Sequence, residues 1–482
     1  MVENVASMSV MSFQKRSFAV TRTRITSGVV LSLSLALGAC MSVPTSDVAT
    51  RAATEAAPLL PPMKTFSAPR PEVPSASNAD LARDFLDLAF KLESGRELPV
   101  LTRFEGPITL RVTGRAPISL TMDLDALLAR LRTEAGVDIR RTNSKSASIT
   151  IEAVSHAQIR KHLPQAACFV VPNVASLSEY ANARRAARTD WTRLQTRDRL
   201  AIFVPADAPP QELRDCLHEE LAQALGPLND LYRLPDSVFN DDNVHTVLTG
   251  FDMLVLRLFY APELRSGMRR AEVAAKLPAL LSRMNPAGDR IAPRYLRDTP
   301  REWIDSIQTA LGPGASPTGR RSAAQRAVNI AQHQGWTDHR RAFSHYALGR
   351  LTQAYDPSLA LTHFVAANTY YTHRPSGPLH RAQVAQQLAA YAIHEGRGQD
   401  ALDLLTPHLE SAQRHENAAL LATLMLLRAE ALDLLGRTTE ARLVRLDSLG
   451  WARYGFGADW AVRAKLREIT SLSPLKKGNG QI

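Results

Sequence analysis

The sequence predicts an α+β chain in which helices and strands alternate around a mixed sheet, followed by an all-α, repeat-like helical domain. Three observations predict this. Between residues 78 and 225 the apolar spacing switches repeatedly between the helical and the strand period. Two short apolar runs, Cys168-Phe169-Val170-Val171 and Leu200-Ala201-Ile202-Phe203-Val204, have the composition of inner strands. Beyond Ser322 only helical spacing remains, with a weak repeat of about 40 residues.

Residues 1–40 stand outside that fold. Lys15, Arg16, Arg22 and Arg24 precede the apolar stretch from Gly28 to Ala39, which is shorter than the roughly 20 residues a membrane span requires. Leu37-Gly38-Ala39-Cys40 resembles a lipobox, which implies a signal peptide, acylation of Cys40, and a lipid-anchored product. Met41 after the cysteine favours the periplasmic side of the outer membrane. Residues 41–77, rich in Pro, Ala, Ser and Thr without an apolar period, read as a flexible tether.

Order is expected from Asn78, read as an N-cap, with Leu81, Phe85, Leu88 and Leu92 on one helical face and Gly95 closing it. Ile108, Leu110 and Val112 alternate as a strand. Leu124, Leu127, Leu128 and Leu131 predict a second helix, and Ile149 and Ile151 another strand. Residues 269–283 form a further helix. The expected domains are 78–285, a linker at 286–320 marked by prolines and glycines, and a helical domain at 321–475. In the last of these, Ala360, Phe364 and Ala367 recur as Ala401, Leu405 and His408, then as Ala441, Arg445 and Ser448. Leu348, Ala389 and Ala429 each lie twelve residues upstream, and Gly396 and Gly436 fall in the turns. The pattern resembles a tetratricopeptide-like repeat, which implies a surface for a protein or peptide partner.

The chemistry concentrates in Leu217-His218-Glu219-Glu220-Leu221-Ala222-Gln223-Ala224-Leu225-Gly226-Pro227-Leu228-Asn229-Asp230. Leu213, Leu217, Leu221 and Leu225 recur every four residues as a core-facing stripe, with Glu219 and Gln223 on another face. Ser237-Val238-Phe239-Asn240-Asp241-Asp242 follows, and then Leu248-Thr249-Gly250-Phe251-Asp252, with Thr249 as N-cap of the next helix. Together these blocks resemble a Gram-negative bacterial lipoprotein family of no assigned function, with the hallmark HEExxQxLGxxND. They also resemble a degenerate metzincin, and so imply a zincin-like fold. The metzincin HExxHxxGxxH signature would place Glu219, Gln223 and Asn229 at the three zinc ligands, Glu220 at the general base, Gly226 at the turn and Phe239 at the turn methionine. The opposing reading is an ordinary amphipathic helix with a Gly C-cap.

A Glu-Gln-Asn set offers oxygen donors with one formal charge, so zinc is not expected and no cofactor is assigned. A hard divalent cation stays open if Asp230, Asp241 and Asp242 converge, although Asn240 to Asn243 reads more simply as a solvated turn, and His218 and His245 as surface or cap residues. The expected function is binding or scaffolding by a zinc-free, inactive peptidase-like domain. The alternative is an atypical hydrolase of peptide or cell-wall glycan, with Glu220 as general base.

The remaining cysteines, Cys168 and Cys216, are either two buried thiols or a disulfide. An oxidising compartment favours the bridge, worth about 4 kcal/mol across its 48-residue separation. The formal charge of +11 falls to about +8 without residues 1–39, and no basic run interleaved with aromatics points to nucleic acid. P-loop, GxGxxG, GxSxG and CxxC patterns are absent.

Overall fold

Helix α1 (Asn78–Phe90) is the first helix among the described residues, with Ser77 as its N-cap in place of the expected Asn78. The Ser77 side chain accepts from the Asp80 amide, and Leu81, Phe85 and Leu88 are fully buried beneath it. The computed structural model describes residues 59–66, 73–373 and 377–476. The leader, Cys40 and most of the expected tether lie outside the described residues. Those from Leu60 onward belong to one compact unit.

After α1 come β1 (Ile108–Gly114), α2 (Ile118–Glu134), β2 (Ile139–Arg141), β3 (Ile149–Val154), α3 (His156–His162), β4 (Phe169–Pro172), α4 (Leu177–Ala183) and β5 (Leu200–Pro205). Among the described residues the strands form one mixed sheet in the order β2-β1-β3-β5-β4, parallel except for β4. The apolar run of β5 is read correctly as an inner strand, for all six residues are buried. That of β4 is not, because β4 is an antiparallel edge strand whose apolar side chains meet α3 and α4 on one face. Alternation along β5 divides the core. Leu200, Ile202 and Val204 join the main cluster with α1, α2 and the later helices, while Ala201 and Phe203 join the smaller cluster under α3 and α4.

Next are α5 (Pro210–Leu225), α6 (Gly250–Phe259) and α7 (Arg270–Met284). The chain then continues through α8 (Arg301–Leu311), α9 (Pro317–His333), α10 (His339–Thr352), α11 (Pro357–His373), α12 (Pro378–His394), α13 (Gly398–Arg414), α14 (Ala418–Leu434), α15 (Thr438–Phe456) and α16 (Asp459–Thr470). Much of the expected 286–320 linker is therefore helix. The prolines read as punctuation start helices instead: Pro300 precedes α8 and Pro317 occupies the first turn of α9. Trp303 of α8 is fully buried and donates its indole N–H to Ser344 at 2.9 Å.

In the helical region each helix packs chiefly on its sequence neighbours. Ala360, Phe364, Ala401, Leu405 and Ala441 are fully buried at matching positions of α11, α13 and α15. Gly396 and Gly436 both adopt φ near +76°, at +77° and +75°, the left-handed conformation that ends α12 and α14 tightly. Part of the expected tether is docked here. Phe66 stacks on Trp451 with ring centres 4.6 Å apart, and the Lys64 amide donates to the Gly450 carbonyl at 3.0 Å.

The helical region also folds back onto α5. Gln211 donates to Asn417 at 3.1 Å and accepts from the Ala419 amide at 2.8 Å, while Arg214 pairs with Glu416 at 2.9 Å. Among the described residues no helix is long and apolar enough to cross a membrane.

Candidate functional site

Helix α5 carries the site because its two sides differ. Leu213, Leu217 and Leu221 are buried on the core side. Glu212, Asp215 and Glu219, spaced three and four residues apart, form a partly accessible acidic strip. Its far end is fixed by the fully buried Arg197, whose guanidinium donates to the carbonyls of Gln223 and Ala224 at 2.5 and 2.8 Å and to that of Gly226 at 2.5 Å. These are the carbonyls a helix end leaves without partners. Burial brings the Arg197 pKa down to about 10, so it stays charged at neutral pH. Gly226 is required for space, not for conformation. Its φ of −171° is open to any residue, but a Cβ there would lie 2.7 Å from the Phe259 ring. Cys168 and Cys216 form a disulfide that ties the start of β4 to the middle of α5.

At the C-terminal half of α5 four carboxyls from separate segments converge: Glu219 of α5, Glu93 from the turn after α1, and Asp230 and Asp241 from the loop after α5. The side chains of Glu93 and Asp230 are hydrogen-bonded to each other, and Tyr232 donates to Asp241 at 2.8 Å. Burial, with Asp241 and Glu93 as neighbouring like charges, pushes Glu219 up to about 7. Burial and then the charges of Glu93, Glu219 and Asp241 push Asp230 well above the carboxylate range. Asp215 is raised by burial, only partly opposed by Arg214. Beside the cluster, Arg301 donates to the Glu93 carbonyl, pairs with Asp305 and favours the ionised form of Glu93.

The expected ligand positions lie in three different settings. Glu219 belongs to the acidic cluster. Gln223 is buried, with its carbonyl on Arg197. The Asn229 amide is engaged by the Asp87 carbonyl at 3.0 Å. This set does not fit zinc, and among the described residues no group of three or more His, Cys, Asp or Glu side chains is arranged to hold a metal ion. Glu220 is 5% exposed, with one carboxyl oxygen lacking a partner; burial and the charges of Glu219 and Glu93 raise its pKa far above the usual range. Glu93 was missed in the sequence because nothing in its spacing relates it to α5; only the return of the chain after α1 places it there.

The loop between α5 and α6 differs from the expected solvated turn. Asn240 and Asp242 are buried, and only Asn243 of that tetrad is exposed. Asp242 accepts from His380 of α12 at 2.7 Å and from the Val244 amide at 3.0 Å, so the turn is an interface with the helical region. His218 and His245 are likewise buried, not on the surface. His218 accepts from the Leu248 amide at 3.1 Å, and burial pushes its pKa well down. Thr249 and Asp252 form a reciprocal capping box at the start of α6. Asp252, pushed up to about 6 by burial, also accepts from Ser237 and from the Val238 amide, fastening the Phe239 loop to the helix.

The fold and site define an α+β domain with an acidic cluster beside the α5 motif, and a helical region docked upon it. Residues 78–279 match the model of a family described as a protein of unknown function (DUF2927), and a helical region follows the matched segment. No curated protein matches the chain, and no solved structure does.

Proposed function

We propose that this chain is a lipid-anchored cell-envelope protein whose degenerate, zincin-like domain binds a cationic segment of a protein or peptide partner along α5. The observation that carries this reading is the convergence of Glu93, Glu219, Asp230 and Asp241, continued along the helix by Asp215 and Glu212. Carboxyls crowded until their pKa values rise are stabilised by an incoming ammonium or guanidinium, which restores their ionised form. The Glu-Gln-Asn set supports a zinc-free domain. The mixed sheet leading through β5 into the motif helix supports the zincin-like resemblance. The Cys168–Cys216 disulfide supports an oxidising address. Equivalent buried positions in α11, α13 and α15 support a tetratricopeptide-like module as a second binding surface.

Calorimetric titration of the full chain with octalysine at pH 7 tests the reading. Saturable binding that weakens with salt and is lost in Glu219→Gln/Asp230→Asn is expected. Binding unchanged in that variant, or absent in the wild type, overturns it.

A second reading has its own observation. A carboxyl titrating near 7 beside other carboxyls is suited to general acid–base hydrolysis of peptide or glycan, with Glu219 in that role. Turnover of such a substrate, abolished by Glu219→Gln, would establish this hydrolase.

A further inference from the structure

A second cavity, of about 540 Å³, opens on the opposite charge. It lies where α1 and the loop after α5 meet the helical region, and its size is that of a small-molecule site. Five arginines line it: Arg83, Arg233, Arg294, Arg381 and Arg414. Three aspartates oppose them, and these are already engaged. Asp80 accepts from the amides of Arg294 and Tyr295, at 2.8 and 3.0 Å. Asp84 accepts from Arg233 at 2.7 Å. Asp236 sits beside His245 at 3.5 Å, and burial raises its carboxyl, weakening its negative charge.

The arginines divide in the same way. Arg233 is matched by Asp84, Asp87 and Asp298, Arg83 by Asp298, and Arg414 by Glu410. Arg294 and Arg381 remain. Among the described residues neither guanidinium has a hydrogen bond or an ion pair within 4 Å; the Arg294 charge acts on Asp236 from further off, and the Arg381 Nε is buried with no acceptor. A guanidinium N–H shut away from both water and acceptors is costly, and an oxyanion relieves that cost with charge-assisted hydrogen bonds. The lining also carries apolar surface from Leu234, Phe251, Leu296 and Tyr371.

We infer that this cavity is a binding site for a small organic anion, with a carboxylate or phosphate head held by Arg294 and Arg381 and a compact apolar body against Leu234, Phe251 and Tyr371. The site is separate from the acidic cluster, and its ligand class does not depend on what the cluster binds.

Calorimetry on the full chain uses phenyl phosphate and phenylacetate as probes, with phenylacetamide as the neutral control and inorganic phosphate as the control without an apolar body. Saturable binding of at least one aromatic anion is expected, tighter than either control. The preferred head group then tells phosphate from carboxylate. Arg381→Met and Arg294→Gln should each weaken binding by about tenfold or more. Arg294 is exposed, so its variant retains the fold, and an unchanged melting temperature verifies this. Failure of both anions to bind, equal binding of phenylacetamide, equal binding of inorganic phosphate, or undiminished affinity in Arg294→Gln overturns the inference.

Discussion

The Arg197 guanidinium donates to the Gly226 carbonyl at 2.5 Å, binding the strand-proximal loop to the end of the motif helix. The same side chain holds the last-turn carbonyls of Gln223 and Ala224. Arg197→Met should therefore leave three buried carbonyls unsatisfied and destabilise the chain by about 3–5 kcal/mol. Urea denaturation of the full chain checks this, and a loss below about 1 kcal/mol would show that water replaces the guanidinium freely.

Gly226→Ala tests the other side of the same turn. The added methyl meets the Phe259 ring, and overpacking of this kind costs about 1–3 kcal/mol. Phe259→Leu should be destabilising alone yet recover part of the loss when combined with Gly226→Ala. Additive losses in the double variant would mean that the two residues are not coupled.

Reduction of the Cys168–Cys216 disulfide should lower stability by about 4 kcal/mol for its 48-residue separation. Cys168→Ala/Cys216→Ala, compared with the wild type with and without dithiothreitol, gives the measurement. A reductant-insensitive wild type would indicate that the strand and helix stay together without the bond.

The acidic cluster predicts a pH effect of defined sign. Glu219, raised from 4.5 to about 7, contributes stability that is full below 4.5 and is lost as the pH rises through 7. His245, lowered from 6.5 to about 4 by burial and by His380, acts the other way; its contribution is full above 6.5 and is lost as the pH falls through 4. His380, His415, Asp236 and Asp242 surround His245. Glu219→Gln removes the first slope only. Its unfolding free energy should gain on that of the wild type between pH 5 and 8, by about 1–2 kcal/mol once solvent screening of the partly accessible carboxyl is allowed for. A difference independent of pH would show that Glu219 is ionised throughout.

The α+β part of the fold was legible where one period persisted. Leu81, Phe85 and Leu88 marked α1, and the unbroken apolar run of β5 marked a strand buried on both faces. The three-residue β2 was too short to show a period, and β4 carried the apolar content of an inner strand while serving as an edge. Prolines 300 and 317 read as breaks because a sequence does not distinguish a residue that stops one helix from one that starts the next. Of the candidate site, Glu219 was legible from the helix. Glu93 was not, for its role depends on a contact 126 positions away. The buried partners of Asn240 and Asp242 lie on the helical region, so local composition suggested solvent where another helix stands.

The docking of α5 on the helical region has a consequence for how such chains can be recombined. The matched segment ends at residue 279, whereas Arg214 and Gln211 within it find their partners at Glu416, Asn417 and Ala419. A chain that carried the 78–279 unit alone would present those two positions to water, where neither an arginine nor a glutamine is specifically required. The first turns of α5 thus record, in residues far from the acidic cluster, which neighbour the unit was built to sit beside.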